Sequence, residues 1–179
     1  MDVYKYLVEP LQQLIKFRLE YWLKYNLFTI HWWIMILVLI VPWIVWWKKL
    51  DKKRIKEISL YGFFIMFFSL ILDDIGTTLA FWAYPYLLTP LSIRFEPYDY
   101  CILPVIYMLI YQTFPNWKFF VLAQYITAAI FSFILEPITV YFNIYKLISW
   151  RYEYSFFIYP LLGMLCKLII HRINKIETT

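Results

Sequence analysis

The sequence predicts an all-α integral membrane bundle, with about five transmembrane helices and an N-terminal amphipathic helix lying in the interface. Three observations carry this prediction. Of 179 residues, 63% are hydrophobic and only 16% are charged, against about 45–50% and 25% in an average soluble domain. Apolar runs of about 20 residues recur, the length that crosses roughly 30 Å of hydrocarbon. The basic residues cluster beside these runs, so the net charge of +5 reflects membrane orientation rather than nucleic-acid binding. No polar linker or internal repeat divides residues 1–179, which read as a single membrane domain.

Residues 1–26 carry the amphipathic helix. Val3, Leu7, Leu11, Leu14, Phe17 (or Arg18), Tyr21 and Tyr25 recur at three- and four-residue steps, with Lys5, Glu9, Gln12, Lys16, Glu20 and Lys24 on another face. The stretch lacks the short apolar core and cleavage site of a signal peptide, so it is expected to be retained. It reads as an interfacial anchor, with a lid over a substrate path as the alternative. Residues 28–47 form the first span, bracketed by Trp32, Trp33, Trp46 and Trp47. The run KKLDKKRIKE follows, the densest basic stretch of the chain. The positive-inside rule puts it in the cytoplasm and the N-terminus outside.

The second span, 58–80, carries Asp73 and Asp74 deep in apolar sequence. Asp73, Thr77, Ala80 and Tyr84 fall at helical steps, which predicts one shared face. Pro85 and Pro90 end the helix, and residues 81–99 read as a re-entrant or surface segment. The third span, 100–113, aligns Tyr100, Pro104, Tyr107 and Tyr111. The fourth, 119–142, places Tyr125, Ser132, Glu136, Thr139 and Asn143 on one side, with Pro137 after the acid. The fifth, 155–171, ends at Arg172 and Lys175, which predicts a cytoplasmic C-terminus.

Acids inside a bilayer cost about 2.5–3.5 kcal/mol at a helix centre and by default signal function. Asp73, Glu96, Asp99 and Glu136 converge only if the second, third and fourth spans pack together, which the short connections favour. Such a cluster is able to hold a proton at neutral pH and act as an acid. Arg94 is the nearest cation, able to pair with Glu96 or an anionic headgroup. Cys101 and Cys166 show no metal or redox spacing and read as buried thiols, and His31 and His171 as interfacial anchors. No metal ligand set, nucleophile motif or phosphate loop is present, so neither cofactor nor metal is expected. What remains is a protonating acid in an aromatic-lined, dry pocket, which suits acid-initiated cyclisation of an isoprenoid double bond. Asp73, Asp99, Glu136 and Glu96 are the candidate acids. Trp82, Tyr84, Tyr107, Tyr111 and Tyr125 are the candidate substrate-facing aromatics.

Asp73, Trp82-x-Tyr84 and Pro97-x-Asp99 resemble the lycopene cyclase domain of membrane carotenoid and terpene cyclases. That family's last motif carries two adjacent acids, where Tyr100 follows Asp99 here. The resemblance implies cofactor-free, proton-initiated cyclisation of a polyene or terpene. YQTFPNWK, FILEP and IYKLISWRYEYSFFIYPLLG resemble a second, uncharacterised family of small multi-pass proteins from spore-forming Gram-positive bacteria. This resemblance implies a bacterial cytoplasmic membrane and brings no activity. Two other readings stay open. One is a non-enzymatic lipid-binding or assembly protein whose acids specify packing. The other is a proton- or cation-coupled transporter, in which a homo-oligomer supplies the missing half. Membrane lipids are the expected partners in all three.

Overall fold

The computed structural model describes residues 3–177; the first two residues of the expected 1–26 helix lie outside the described residues. The chain is an all-α bundle. Its α-helices are α1 (Glu9–Tyr25), α2 (Ile30–Lys49), α3 (Ile55–Thr78), α4 (Leu103–Thr113), α5 (Trp117–Ile130), α6 (Glu136–Tyr141) and α7 (Tyr152–Glu177). The segments Ile30–Lys49, Lys52–Thr78, Trp117–Tyr141 and Tyr152–Ile176 are long and apolar enough to cross a membrane. The expected span at 100–113 is a shorter helix, five π-helical residues (Tyr98–Ile102) running into the eleven of α4. It is the most enclosed element, with Leu103, Val105, Tyr107 and Met108 buried between α2 and α3.

Local chemistry sets the helix ends. The Thr29 hydroxyl caps α2 by accepting from Trp32 N at 3.3 Å. Lys48 and Lys49 close the same helix, where positive charge suits the dipole. The Asp51 carboxylate accepts from Lys53 N at 3.1 Å and starts the turn into α3. Both α3 and α6 end in Schellman motifs. Ala80 N and Phe81 N donate to Thr77 O and Gly76 O, and Asn143 N and Ile144 N donate to Val140 O and Thr139 O. Ala80 (φ 53°) and Asn143 (φ 54°) take the left-handed conformation that the motif requires. Asn tolerates it; for Ala it costs about 1–2 kcal/mol.

Three π-helical turns, Tyr4–Val8, Tyr98–Ile102 and Phe131–Leu135, each stop one residue short of an X-Pro pair. The prolines are Pro10, Pro104 and Pro137. Proline has no N–H and clashes with the carbonyl four residues back. Widening the preceding turn moves that carbonyl away, so Leu103 N bonds Tyr98 O and Glu136 N bonds Phe131 O.

These turns also change which residues face inward. The predicted stripe Tyr100, Pro104, Tyr107, Tyr111 breaks: Tyr107 and Tyr111 are buried, but Tyr100 is exposed and Asp99 points inward instead. Likewise Tyr84 does not share a helical face with Asp73, because α3 ends at Thr78. Tyr84 reaches Asp73 by chain reversal. Strand β1 (Trp82–Ala83) pairs antiparallel with β2 (Lys146–Leu147), and Ile148 N and Ser149 N donate to Phe81 O at 3.0 and 3.1 Å. This short ribbon ties the loop after α3 to the loop after α6.

The segment 81–99 is irregular apart from β1 and the turn entering α4. Side chains from the N-terminal part hold it. Trp22 Nε1 donates to Leu87 O and Trp32 Nε1 to Leu88 O (3.1 and 3.0 Å), Asn26 Oδ1 accepts from Leu87 N (2.5 Å), and His31 stacks on Tyr86 at 3.9 Å. No residue of α1 itself is buried.

Candidate active site

Where the two joined loops meet α3, α4, α6 and α7, the bundle forms a cavity of about 320 Å³. That lies within the roughly 300–1,000 Å³ typical of small-ligand pockets. Asp73, Asp99 and Glu136 line it, and the remaining wall is almost wholly aliphatic and aromatic.

Asp73 lies near the end of α3. Its Oδ1 accepts from Trp82 Nε1 at 2.7 Å and from the Tyr84 hydroxyl at 2.8 Å. Asp99, turned inward by the π-turn, accepts from the Ser69 hydroxyl through its own Oδ1. Ser69 lies one helical turn before Asp73, so one face of α3 serves both acids. Both carboxyl groups are buried and line the same cavity, one from α3 and the other from the π-turn before α4. Asp73 Oδ2 and Asp99 Oδ2 are buried and receive no donor. A carboxylate can only accept, so two adjacent acids satisfy each other only when one proton lies between them.

Gly76 makes the Trp82 contact possible. A methyl group there would lie 2.1 Å from the indole ring. Only a residue without a side chain lets the ring rest on the helix and turn its N–H to Asp73.

Glu136 opens α6, directly after its π-turn. The Tyr159 hydroxyl donates to Oε1 at 2.8 Å and the Ser155 hydroxyl to Oε2 at 3.2 Å. Trp150 Nε1 donates to the same Ser155 oxygen at 3.0 Å. Unlike the aspartate pair, Glu136 has hydrogen bonds to both carboxyl oxygens.

Aromatic faces form the rest of the enclosure. Trp82 meets Trp150 edge-on at 4.8 Å, and Tyr84 stacks between Phe95 (5.6 Å) and Tyr145 (5.5 Å). Burial, then the charges of Glu136 and Asp73, push the Tyr145 phenol well above its ordinary pKa, so it remains a neutral hydroxyl. Ring faces of this kind attract cations by about 0.5–2 kcal/mol each, more when dry.

No family model matches the chain, and the comparisons with curated proteins and with solved structures found no match.

The sequence-predicted residues divide. Asp73, Asp99, Glu136, Trp82 and Tyr84 line the cavity; Glu96, Tyr107, Tyr111 and Tyr125 do not. Tyr107 donates to Tyr159 O at 2.9 Å in the core, and Tyr125 packs on Phe156. Tyr111 bonds Glu57 at the other end of α3. Arg94 pairs with exposed Asp74 at 3.1 Å rather than with Glu96. Ser69, Gly76, Tyr145, Ser155 and Tyr159 belong to the site and were not singled out by sequence. One signal was available: Ser155 and Tyr159 stand four residues apart, as two donors on one helical face do.

Glu96 organises the loop instead. It accepts from the Thr89 hydroxyl at 2.9 Å and from Leu88 N at 3.4 Å. Burial pushes its carboxyl up, against the pull of these donors. The folded state therefore holds this proton more tightly than the unfolded chain. Its contribution to stability is full below the ordinary carboxyl range and falls as pH rises through the raised value. Glu96→Gln keeps an acceptor without the charge and is expected to unfold at the same or a higher temperature at neutral pH, with a flatter pH profile. Glu96→Ala strands the Thr89 and Leu88 donors and is expected to lose about 1–3 kcal/mol. Thermal unfolding in detergent across pH measures both.

Proposed function

We propose that the protein is a membrane-embedded isoprenoid cyclase that begins by protonating a carbon–carbon double bond. The observation that carries this reading is the Asp73–Asp99 pair, two buried acids that each keep one oxygen without a donor on the wall of an apolar, aromatic-lined cavity. In this reading the O–H bond of the pair breaks as a C–H bond forms at the alkene. The resulting tertiary cation is attacked by the π electrons of a second double bond, which closes the ring. A proton on the carbon beside the new cation passes to a carboxylate, for which Glu136 is the candidate, and a double bond is restored. The product is an isomer of the substrate. Trp82, Tyr84 and Trp150 shield the cation and exclude water. The resemblance of Asp73, Trp82-x-Tyr84 and Pro97-x-Asp99 to the lycopene cyclase domain supports the same chemistry. The second resemblance and the positive-inside rule support a bacterial cytoplasmic membrane as its location, with the Lys48–Arg54 run inside and the cavity toward the outer face.

A second reading, binding of an apolar ligand without chemistry, is favoured by the saturated hydrogen bonding of Glu136. Untargeted mass spectrometry of lipids separates the two. Cells expressing the wild type, Asp73→Asn and Glu136→Gln are supplied with isoprenoid precursors. A cyclic isomer made by wild type and lost in the folded variants is expected. Enrichment of an unchanged prenyl lipid, with no new product, favours binding alone.

A further inference from the structure

We infer that the protein carries a second site, at the opposite end of the bundle from the acid cavity, that binds a monoanionic phosphate group such as a phospholipid headgroup. It is a pocket of about 320 Å³ lined by Arg54, Glu57, Tyr111, Lys167, His171 and other residues. Arg54 and Glu57 open α3, whereas Asp73 lies four turns further along. Lys167 and His171 come from the last turns of α7. The basic run Lys48–Arg54 borders the same end.

Charge and geometry favour an anion. Glu57 is the pocket's carboxylate, and it is already engaged. Arg54 donates to it through Nε at 3.0 Å and Nη2 at 3.3 Å, and Tyr111 donates to it as well. Of the five N–H donors of the guanidinium, the bonds to Glu57 use two. Lys167 is 7% exposed, and among the described residues no carboxylate lies within ion-pair distance of it. Burying an ion without a counter-charge is unfavourable. The ammonium is held by Phe114 O (3.1 Å), Pro115 O (3.0 Å) and the Phe120 ring face (4.0 Å). Those neighbours fix its position but bring no negative charge. Arg54 and Lys167 against Glu57 leave one surplus positive charge beside an open volume. A phosphodiester supplies the missing single negative charge and fits the planar guanidinium donors.

The test uses the full chain, purified in detergent with mixed phosphatidylglycerol and phosphatidylcholine, then delipidated and examined by native mass spectrometry. Wild type is expected to retain one phosphatidylglycerol in preference to phosphatidylcholine. Arg54→Gln and Lys167→Met are expected to lose about ten- to hundredfold in retention, while Lys167→Arg keeps it. Should Lys167→Met fail to fold, Arg54→Gln and His171→Gln carry the comparison. A parallel arm adds inorganic phosphate. Thermal stabilisation by phosphate that needs Arg54, without lipid retention, supports the anion site and assigns it to a soluble phosphate. Equal retention of both lipids, unchanged in the variants, with no response to phosphate, overturns the inference.

Discussion

Asp73→Asn and Asp99→Asn are each expected to reduce formation of the cyclic product by about 10²–10⁴-fold, the usual contribution of a general acid. Asparagine keeps the shape of the side chain. At residue 73 its carbonyl still accepts from Trp82 and Tyr84, so the fold is expected to survive. What disappears is the acid proton that the proposed chemistry draws from the aspartate pair. Asp74→Asn provides the control within the same helix. Asp74 is exposed, pairs with Arg94 and lies outside the cavity, so its loss should leave product formation unchanged. Product measured by mass spectrometry against the amount of folded protein decides the matter. A product yield that falls equally for residues 73 and 74 would point to general destabilisation instead.

Gly76→Ala is expected to damage both stability and activity. The added methyl would lie 2.1 Å from Trp82 Cζ2 and Cη2. The ring has little freedom to retreat, because its N–H is bonded to Asp73, its backbone is paired in β1 and Trp150 packs against it. Overpacking of this kind costs about 1–3 kcal/mol. It also breaks the Trp82–Asp73 bond, so product should fall with stability. Gly62→Ala is the informative comparison. There the methyl meets the Met108 side chain, whose sulfur lies 2.3 Å from the added atom. An unbranched thioether can move aside, so a smaller loss is expected. In Gly76→Ala, the further change Trp82→Phe removes the colliding atoms. It should restore thermal stability without restoring product, since Phe cannot donate to Asp73.

The parts legible in the sequence are those set by composition over a whole helix. Hydropathy predicts spans at 28–47, 58–80, 100–113, 119–142 and 155–171; the segments long and apolar enough to cross a membrane are Ile30–Lys49, Lys52–Thr78, Trp117–Tyr141 and Tyr152–Ile176, and the helix at 100–113 is shorter. The burial of Asp73, Asp99 and Glu136 followed from the cost of leaving an acid in lipid. Residue-level facing was less legible, because it assumed an unbroken 3.6-residue period. The π-turn before Pro104 brings Asp99 inward and sends Tyr100 out. The Schellman end of α3 replaces a continued helix, so Tyr84 arrives from the loop. Tyrosine suits both chemistry and packing, so the sequence alone does not separate the two roles at Tyr107 and Tyr111. The core uses them for packing and for hydrogen bonds to Tyr159 O and Glu57. The contribution of Tyr145 and Trp150 depends on the pairing of two loops far apart in sequence, which no local pattern encodes, and that of Ser155 and Tyr159 on the packing of α7 against Glu136.

The most direct test of proton-initiated chemistry is isotopic. The purified protein in lipid is given a linear polyene isoprenoid in D₂O, and the product is weighed. The acid proton exchanges with solvent, so the account predicts a cyclic product that carries a deuterium at the carbon first protonated. The same product made in H₂O should have the mass of its substrate, and Asp99→Asn should make neither. A cyclic product without deuterium would contradict protonation by the aspartate pair, and no cyclic product across a broad prenyl panel would contradict the cyclase itself.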